Sequence, residues 1–221
     1  MRSFDSIYKL AAARKGGPDA VEAGLIRPKP KAEVAALPDH RVLAALTSAV
    51  FSSGFKWDVI KAKWNGFEEA FHGFDITKAV MLHGEDFDKL LADTRIVRHG
   101  AKIMSVHENA VFLQDLAREH GSAAKFIADW PDQDYVGLLE LVKKRGSRLG
   151  GKTAQYALRN LGKDSFILSW DVVRRLEAEG VIDSPPSSAK ALASVQSAFN
   201  TWAKQSGRSL TEISRVLAMS M

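Results

Sequence analysis

The sequence predicts an all-α protein, and three observations carry that prediction. Apolar residues recur three and four positions apart in nearly every periodic segment, no stretch of length alternates as a half-buried strand does, and helix-capping and helix-breaking residues punctuate the chain at short intervals. The caps and breakers mark out about ten helices.

Taken in order, a short N-terminal helix comes first, followed by a connection from Gly24 to Pro38 that carries KPK and three prolines. A helix that short is marginal alone, so it is expected to pack back on the body. The chain therefore divides into residues 1–38, a helix and linker, and 39–221, the main domain. Asp39 precedes a run carrying Leu43, Leu46 and Val50; Asp58 opens WDVIKAKW; Asp75 opens ITKAVML; and Glu85 to Ala92 follows Gly84. The clearest helix runs from Ala101 to His120. Ile103, Val106, Ala110, Leu113 and Ala117 share one face, Lys102, Glu108, Asp115 and Arg118 fall elsewhere, and Gly121 ends it. Asp132 or Asp134 leads into YVGLLELVKKR, which stops at Gly146. Near the end, SPPSS marks a connection, and Ser209 with Glu212 has capping-box spacing before ISRVLAM.

Composition bounds the chemistry. The 221 residues are 46% hydrophobic, enough to bury a real core as one domain or two small lobes. A net charge of +5 and a pI near 9.4 fit a polyanionic partner. There is no cysteine, which excludes disulfides, thiolate zinc sites, iron–sulfur clusters and cysteine nucleophiles together. No secretory core and no membrane-length apolar run is present, so a cytoplasmic monomer without a membrane partner is expected, nucleoid-associated in a bacterium.

The charge is concentrated. From Leu141 to Lys163 the chain reads LVKKRGSRLGGKTAQYALRNLGK, with seven basic residues and no acidic one. Its glycines lie between two helical patterns, so the chain turns tightly there and exposes backbone N–H groups at the start of the second helix, where the dipole also favours an anion. The plainer alternative is a helix–turn–helix connection with a solvated basic face.

RLGGKTAQYAL resembles the hairpin of the helix-hairpin-helix DNA glycosylases, whose pattern runs Leu-Pro-Gly-hydrophobic-Gly-x-Lys-Thr-Ala. Leu149, Gly150, Lys152, Thr153 and Ala154 match, whereas Arg148 replaces the first glycine and Ser147 the proline. A second stretch is similar to the 3-methyladenine DNA glycosylase I family within that superfamily. It comprises Ser53-Gly54-Phe55-Lys56-Trp57, Phe71, Phe74-Asp75, Ile96 to Ile103 and Asn109-Ala110. The resemblance implies two helical lobes with a cleft, a hairpin over residues 138–162, and double-stranded DNA carrying a damaged base as partner.

It also implies roles. Arg148, Gly150, Gly151, Lys152 and Thr153 would hold phosphates, and Phe55, at the position of the family's inserted leucine, would fill the gap left by a flipped nucleotide. Trp57, Trp170, Phe51 and Tyr8 are candidate walls for the base, Trp170 foremost because it adjoins Asp171, with the core as the commoner destination for an aromatic residue. The superfamily's catalytic aspartate lies about a score of residues beyond the hairpin lysine, and here Asp171 stands nineteen after Lys152 (171 − 152). The alternative is that Asp171 only caps the helix it begins. Lys152 is either a phosphate ligand or the nucleophile of a bifunctional glycosylase/lyase.

Two departures stand out. The family glutamate that contacts the methylated base falls at Ala49, and the family's terminal zinc clasp lacks its cysteines here. No zinc is expected, and a monovalent or hard cation at the hairpin is the one metal left open. Val195, Phe199, Trp202, Ile213 and Leu217 in the C-terminal helices are expected to replace the clasp by packing. The activity implied is removal of alkylated purines, with a non-catalytic DNA-binding protein of the same fold as the alternative.

Overall fold

The computed structural model describes all 221 residues, and every regular element in it is helical. In chain order these are α1 (Phe4–Lys15), α2 (Pro18–Ala23), α3 (Lys31–Ala35), α4 (Asp39–Ser52), α5 (Trp57–Ala62), α6 (Trp64–Ala70), α7 (Ile76–Val80) and α8 (Glu85–Ala92). There follow α9 (Gly100–His120), α10 (Ala123–Asp129), α11 (Tyr135–Arg145), α12 (Lys152–Leu161), α13 (Trp170–Ala178), α14 (Ala189–Ser206) and α15 (Leu210–Met219), with 3-10 turns at His72–Phe74 and Asp132–Asp134. Fifteen helices replace the expected ten because pieces as short as α2 and α3 have too few turns to display a hydrophobic period. One of them, α3, lies inside the segment expected to be a plain connection. None is long and apolar enough to cross a membrane.

The caps read from the sequence are largely in place. Asp75 accepts from Lys78 N, Gly121 ends α9 in the left-handed conformation, and Ser209 with Glu212 closes a full capping box. Asp39 does something else: its carboxylate accepts from Ala123 N at 3.2 Å and Ala124 N at 3.1 Å, capping α10 from across the core.

The chain forms two units, and their division differs from the expected 1–38 and 39–221. One comprises Met1–Lys29, Trp130–Leu138 and Gly162–Met221; the other comprises Pro30–Asp129 and Leu139–Leu161. In the first, the terminal unit, α1 packs on α14 and α15, as its shortness required. Val195, Phe199, Trp202, Ile213 and Leu217 are all fully buried there, each side chain contributing about 1.5–3 kcal/mol by leaving water. The chain ends are tied in by polar contacts. Arg2 donates to Glu179 through its amide at 2.8 Å and its guanidinium at 2.7 Å, while Arg175 donates to Glu179 and to the hydroxyl and carbonyl of Ser220.

The second, the hairpin unit, is built on α4, which packs against α9 and α12 through Val42, Leu43, Leu46, Val50 and Phe51. Stacked rings of Trp64, Phe67, Phe71 and Phe74 fill one side of it.

Candidate nucleic-acid interface

Within the hairpin unit, α11 ends at Arg145 and the chain reverses through Gly146–Gly151 into α12. Gly146 is required by space: a Cβ there would lie 2.6 Å from Leu149 Cδ1 and 2.8 Å from the carbonyl oxygen of Val142. Buried Asn109, on α9, clamps the turn with both ends of its amide. It donates to Ser147 O at 3.1 Å and accepts from Ser147 N at 2.8 Å.

Arg148, in place of the pattern's glycine, has φ at 58°, in the left-handed region that favours glycine, and Gly151 follows at 56°. Leu149 is buried beneath the turn. The amide of Thr153 bonds back to Gly150 O at 3.3 Å, and no intrachain acceptor engages the amides of Gly150, Gly151 and Lys152. Those three N–H groups gather at the α12 N-terminus, beside the exposed side chains of Arg148 and Lys152.

The basic cluster is smaller than the sequence suggests. Arg145 is held by Glu119 in a two-bond pair at 2.9 and 2.7 Å, and Lys163, buried in the terminal unit, is bonded to Trp130 O and paired with Asp132. Lys143, Lys144, Arg148 and Lys152 remain exposed.

Also in this unit, the turn after α4 bends at Gly54, φ 81°, and presents Phe55 with 40% of its surface exposed. Lys102 lies behind it, only 5% exposed, although the sequence placed it off the apolar face. Its ammonium donates to Phe51 O at 3.2 Å and Ser53 O at 2.5 Å, and sits 4.6 Å from the centre of the Phe55 ring. Burial holds the Lys102 pKa below the usual lysine value, and the charge of Arg148 pushes it the same way.

Trp57 is half exposed and meets Tyr156 of α12 edge-on at 5.4 Å, so the hairpin helix props it outward. Phe51 is not at the surface. It is fully buried and edge-on to Phe67 of α6 at 4.7 Å, a core residue. Ala49 is buried on the same helix and brings no charge.

In the terminal unit, α13 begins at Trp170, and its cap is Ser169, whose hydroxyl accepts from Val172 N. The capping role weighed for Asp171 is thus filled two residues earlier. Asp171 lies in the first turn, exposed, and no hydrogen bond or ion pair engages its carboxylate. Trp170 beside it is 68% exposed, with the Arg174 guanidinium 5.9 Å from its ring centre. Tyr8 is tied into an N-terminal cluster instead, donating to Glu22 at 2.7 Å with Arg208 over its ring.

A concavity of the hairpin unit lined by Glu69, His72, Met81, Leu90 and Arg95 contains none of the predicted residues. Its Arg95 is already paired with Glu69 and Asp93, so we assign it no chemistry.

Sequence reasoning missed Lys102, Asn109, Tyr156 and Ser169. A Ser two residues ahead of Asp171 was a visible cap signal; the others act through contacts made only in three dimensions.

Residues 34–137 match the model of the methyladenine glycosylase family. Among curated proteins, the chain is similar to DNA-3-methyladenine glycosylase 1 of Escherichia coli (strain K12), 33% identical over 58 residues, covering 26% of this chain and 31% of that one. It is similar also to the DNA-3-methyladenine glycosylase of Haemophilus influenzae, 27% identical over 123 residues, covering 48% of this chain and 66% of that one. The chain thus spans less than two thirds of the length of either relative. Among solved structures it is similar in fold to the Methanocaldococcus jannaschii 8-oxoguanine glycosylase/lyase in complex with DNA containing 8-oxoguanine. That likeness has a TM-score of 0.55 at 14% identity and covers 96% of this chain and 95% of that one.

Proposed function

We propose that this chain, a member of the 3-methyladenine DNA glycosylase I family, excises alkylated purines from double-stranded DNA by flipping the nucleotide and hydrolysing its N-glycosidic bond. The observation that carries the reading is Asp171, an exposed carboxylate in the first turn of α13 whose capping task is performed by Ser169. An acidic side chain with no structural partner is available for chemistry.

Each step calls on a residue type present. The unengaged amides of Gly150, Gly151 and Lys152, with the Arg148 and Lys152 side chains, suit a phosphate at a helix N-terminus. Phe55 is the apolar wedge that replaces lost stacking. Trp57, in the hairpin unit, offers an exposed ring face to a cationic methylated base. As the glycosidic bond lengthens, positive charge grows on the sugar, and the Asp171 side chain stabilises it and orients the attacking water. Lys152 serves as a phosphate ligand, and the enzyme is monofunctional.

Zinc does not fit this chain: there is no cysteine, and no three His, Asp or Glu side chains converge.

The test is single-turnover release of 3-methyladenine from methylated duplex DNA. Asp171→Asn is expected to abolish release while salt-sensitive DNA binding persists; full release by the variant would refute the assignment. Binding without release by the wild type would favour a non-catalytic DNA-binding protein.

A further inference from the structure

We infer that Lys102 and Asn109 are positioning residues that together fix the wedge Phe55 at a set distance from the DNA-holding hairpin. The inference rests on the base-excision reading above and adds to it two side chains that touch neither DNA nor base.

Both residues belong to α9, seven positions apart (109 − 102). Seven residues are close to two helical turns, about 10.5 Å along the axis and within about 20° of the same face. At one end of that span Lys102 gives hydrogen bonds to Phe51 O and Ser53 O, carbonyls at the C-terminal end of α4 that the helix leaves unsatisfied. The same ammonium lies against the ring of Phe55. At the other end the Asn109 side-chain amide grips Ser147, its nitrogen donating to Ser147 O and its oxygen accepting from Ser147 N, immediately before Arg148. One rigid helix therefore holds the wedge turn and the hairpin turn, each by a buried polar side chain.

Lys102 has no carboxylate partner, although it is buried and Arg148 adds a second positive charge close enough to be felt. As a core residue it is a poor choice. A methionine of similar length would fill the same space without the cost of desolvating an ammonium. What methionine lacks is the means to hold two carbonyls and a ring in one arrangement. A base-flipping enzyme needs that arrangement, because its wedge must enter the stack in register with the phosphates gripped alongside.

The experiment uses the full chain and duplex DNA carrying the lesion beside 2-aminopurine, whose fluorescence reports unstacking. Wild type, Lys102→Met, Phe55→Ala and the double variant are compared for base release and for fluorescence, on paired duplex and on DNA with a gap opposite the lesion. Lys102→Met is expected to remain folded, to lower single-turnover release from paired duplex about 10- to 100-fold, and to recover most of that loss on the gapped substrate. Its loss should not multiply with that of Phe55→Ala, because both act through the same ring. Multiplying losses, an equal loss on gapped DNA, or full release by folded Lys102→Met would each overturn the inference. Should Lys102→Met fail to fold, Asn109→Asp, which keeps the acceptor for Ser147 N but loses the donor to Ser147 O, is judged by the same gapped-substrate comparison. A wild type that brightens 2-aminopurine but releases no base would refute the glycosylase reading alone. Unstacking lost in the variant would then still support the positioning role, and unchanged unstacking would overturn it. A wild type that does neither overturns both.

Discussion

Arg148→Gly should make the protein more stable and a weaker DNA binder at once, and the opposite signs make the prediction demanding. Arg148 holds φ at 58°, in the left-handed region where a Cβ is unfavourable. Relief of that strain is about 1–2 kcal/mol, and the greater freedom of glycine in the unfolded chain returns about 0.4–1 kcal/mol. The net gain is about 0.5–1 kcal/mol, or roughly 2 °C in Tm for a chain of this size. Losing a positive charge felt by buried Lys102 acts in the same direction. Removal of one phosphate-facing guanidinium should lower the slope of log K against log salt by about 0.9. Urea or thermal unfolding gives the first quantity, and fluorescence anisotropy across a salt series gives the second. A lower Tm would refute the strain argument, and an unchanged salt slope would remove Arg148 from the interface.

Ser169→Ala should cost about 1 kcal/mol of stability by uncapping α13, whereas Asp171→Asn, which loses only a favourable dipole interaction of about 0.3–1 kcal/mol, should leave urea unfolding nearly unchanged; the reverse order would return the capping role to Asp171. Gly146→Ala should destabilise by about 1–3 kcal/mol, since the new methyl meets Leu149 and the backbone oxygen of Val142, and an unaltered urea midpoint would count against the tight turn. Burial pushes the Glu179 carboxyl up, but hydrogen bonds from Arg2 and Arg175 outweigh it, so its folded pKa lies below the ordinary glutamate value. Its stabilisation is therefore present above the unfolded-state pKa and is lost as pH falls through the folded one; Glu179→Gln should flatten the acid limb of a stability–pH profile, and an unchanged limb would contradict this. Borohydride trapping on abasic-site DNA should leave Lys152 unlinked, and a covalent adduct abolished by Lys152→Met would establish a lyase instead.

Local signals were legible in the sequence because they depend on near neighbours. Gly121, Asp75 and the Ser209–Glu212 box each act within four residues of their own helix end, and each is where the sequence puts it. The tight turn into α12 was legible for the same reason, and Gly151 makes it in the left-handed conformation. Partners far along the chain were not. Nothing near Asp39 says that it caps α10, 84 residues away, and nothing near Lys102 says that it faces two carbonyls about 50 residues before it. Phe51 shows the limit most clearly: an aromatic residue six positions before Trp57 serves a pocket or a core equally well until its helix is packed, and here α4 turns it inward.

The two costly features of the hairpin unit share a sign, and one feels the charge of the other. Arg148 is backbone-strained, Lys102 is buried without a counterion, and the segment from Leu141 to Lys163 supplies no acid to offset either. Left alone, such an arrangement only subtracts from stability. Beside a phosphate, the repulsion between Arg148 and Lys102 is screened and the free amides of Gly150, Gly151 and Lys152 gain an acceptor. The folded state is thus incomplete in a way that a polyanion completes, and DNA should raise stability by the linkage between binding and folding. That reasoning ties the departure at Arg148, which by pattern alone looks like damage to the hairpin, to the same electrostatic purpose as the amides around it.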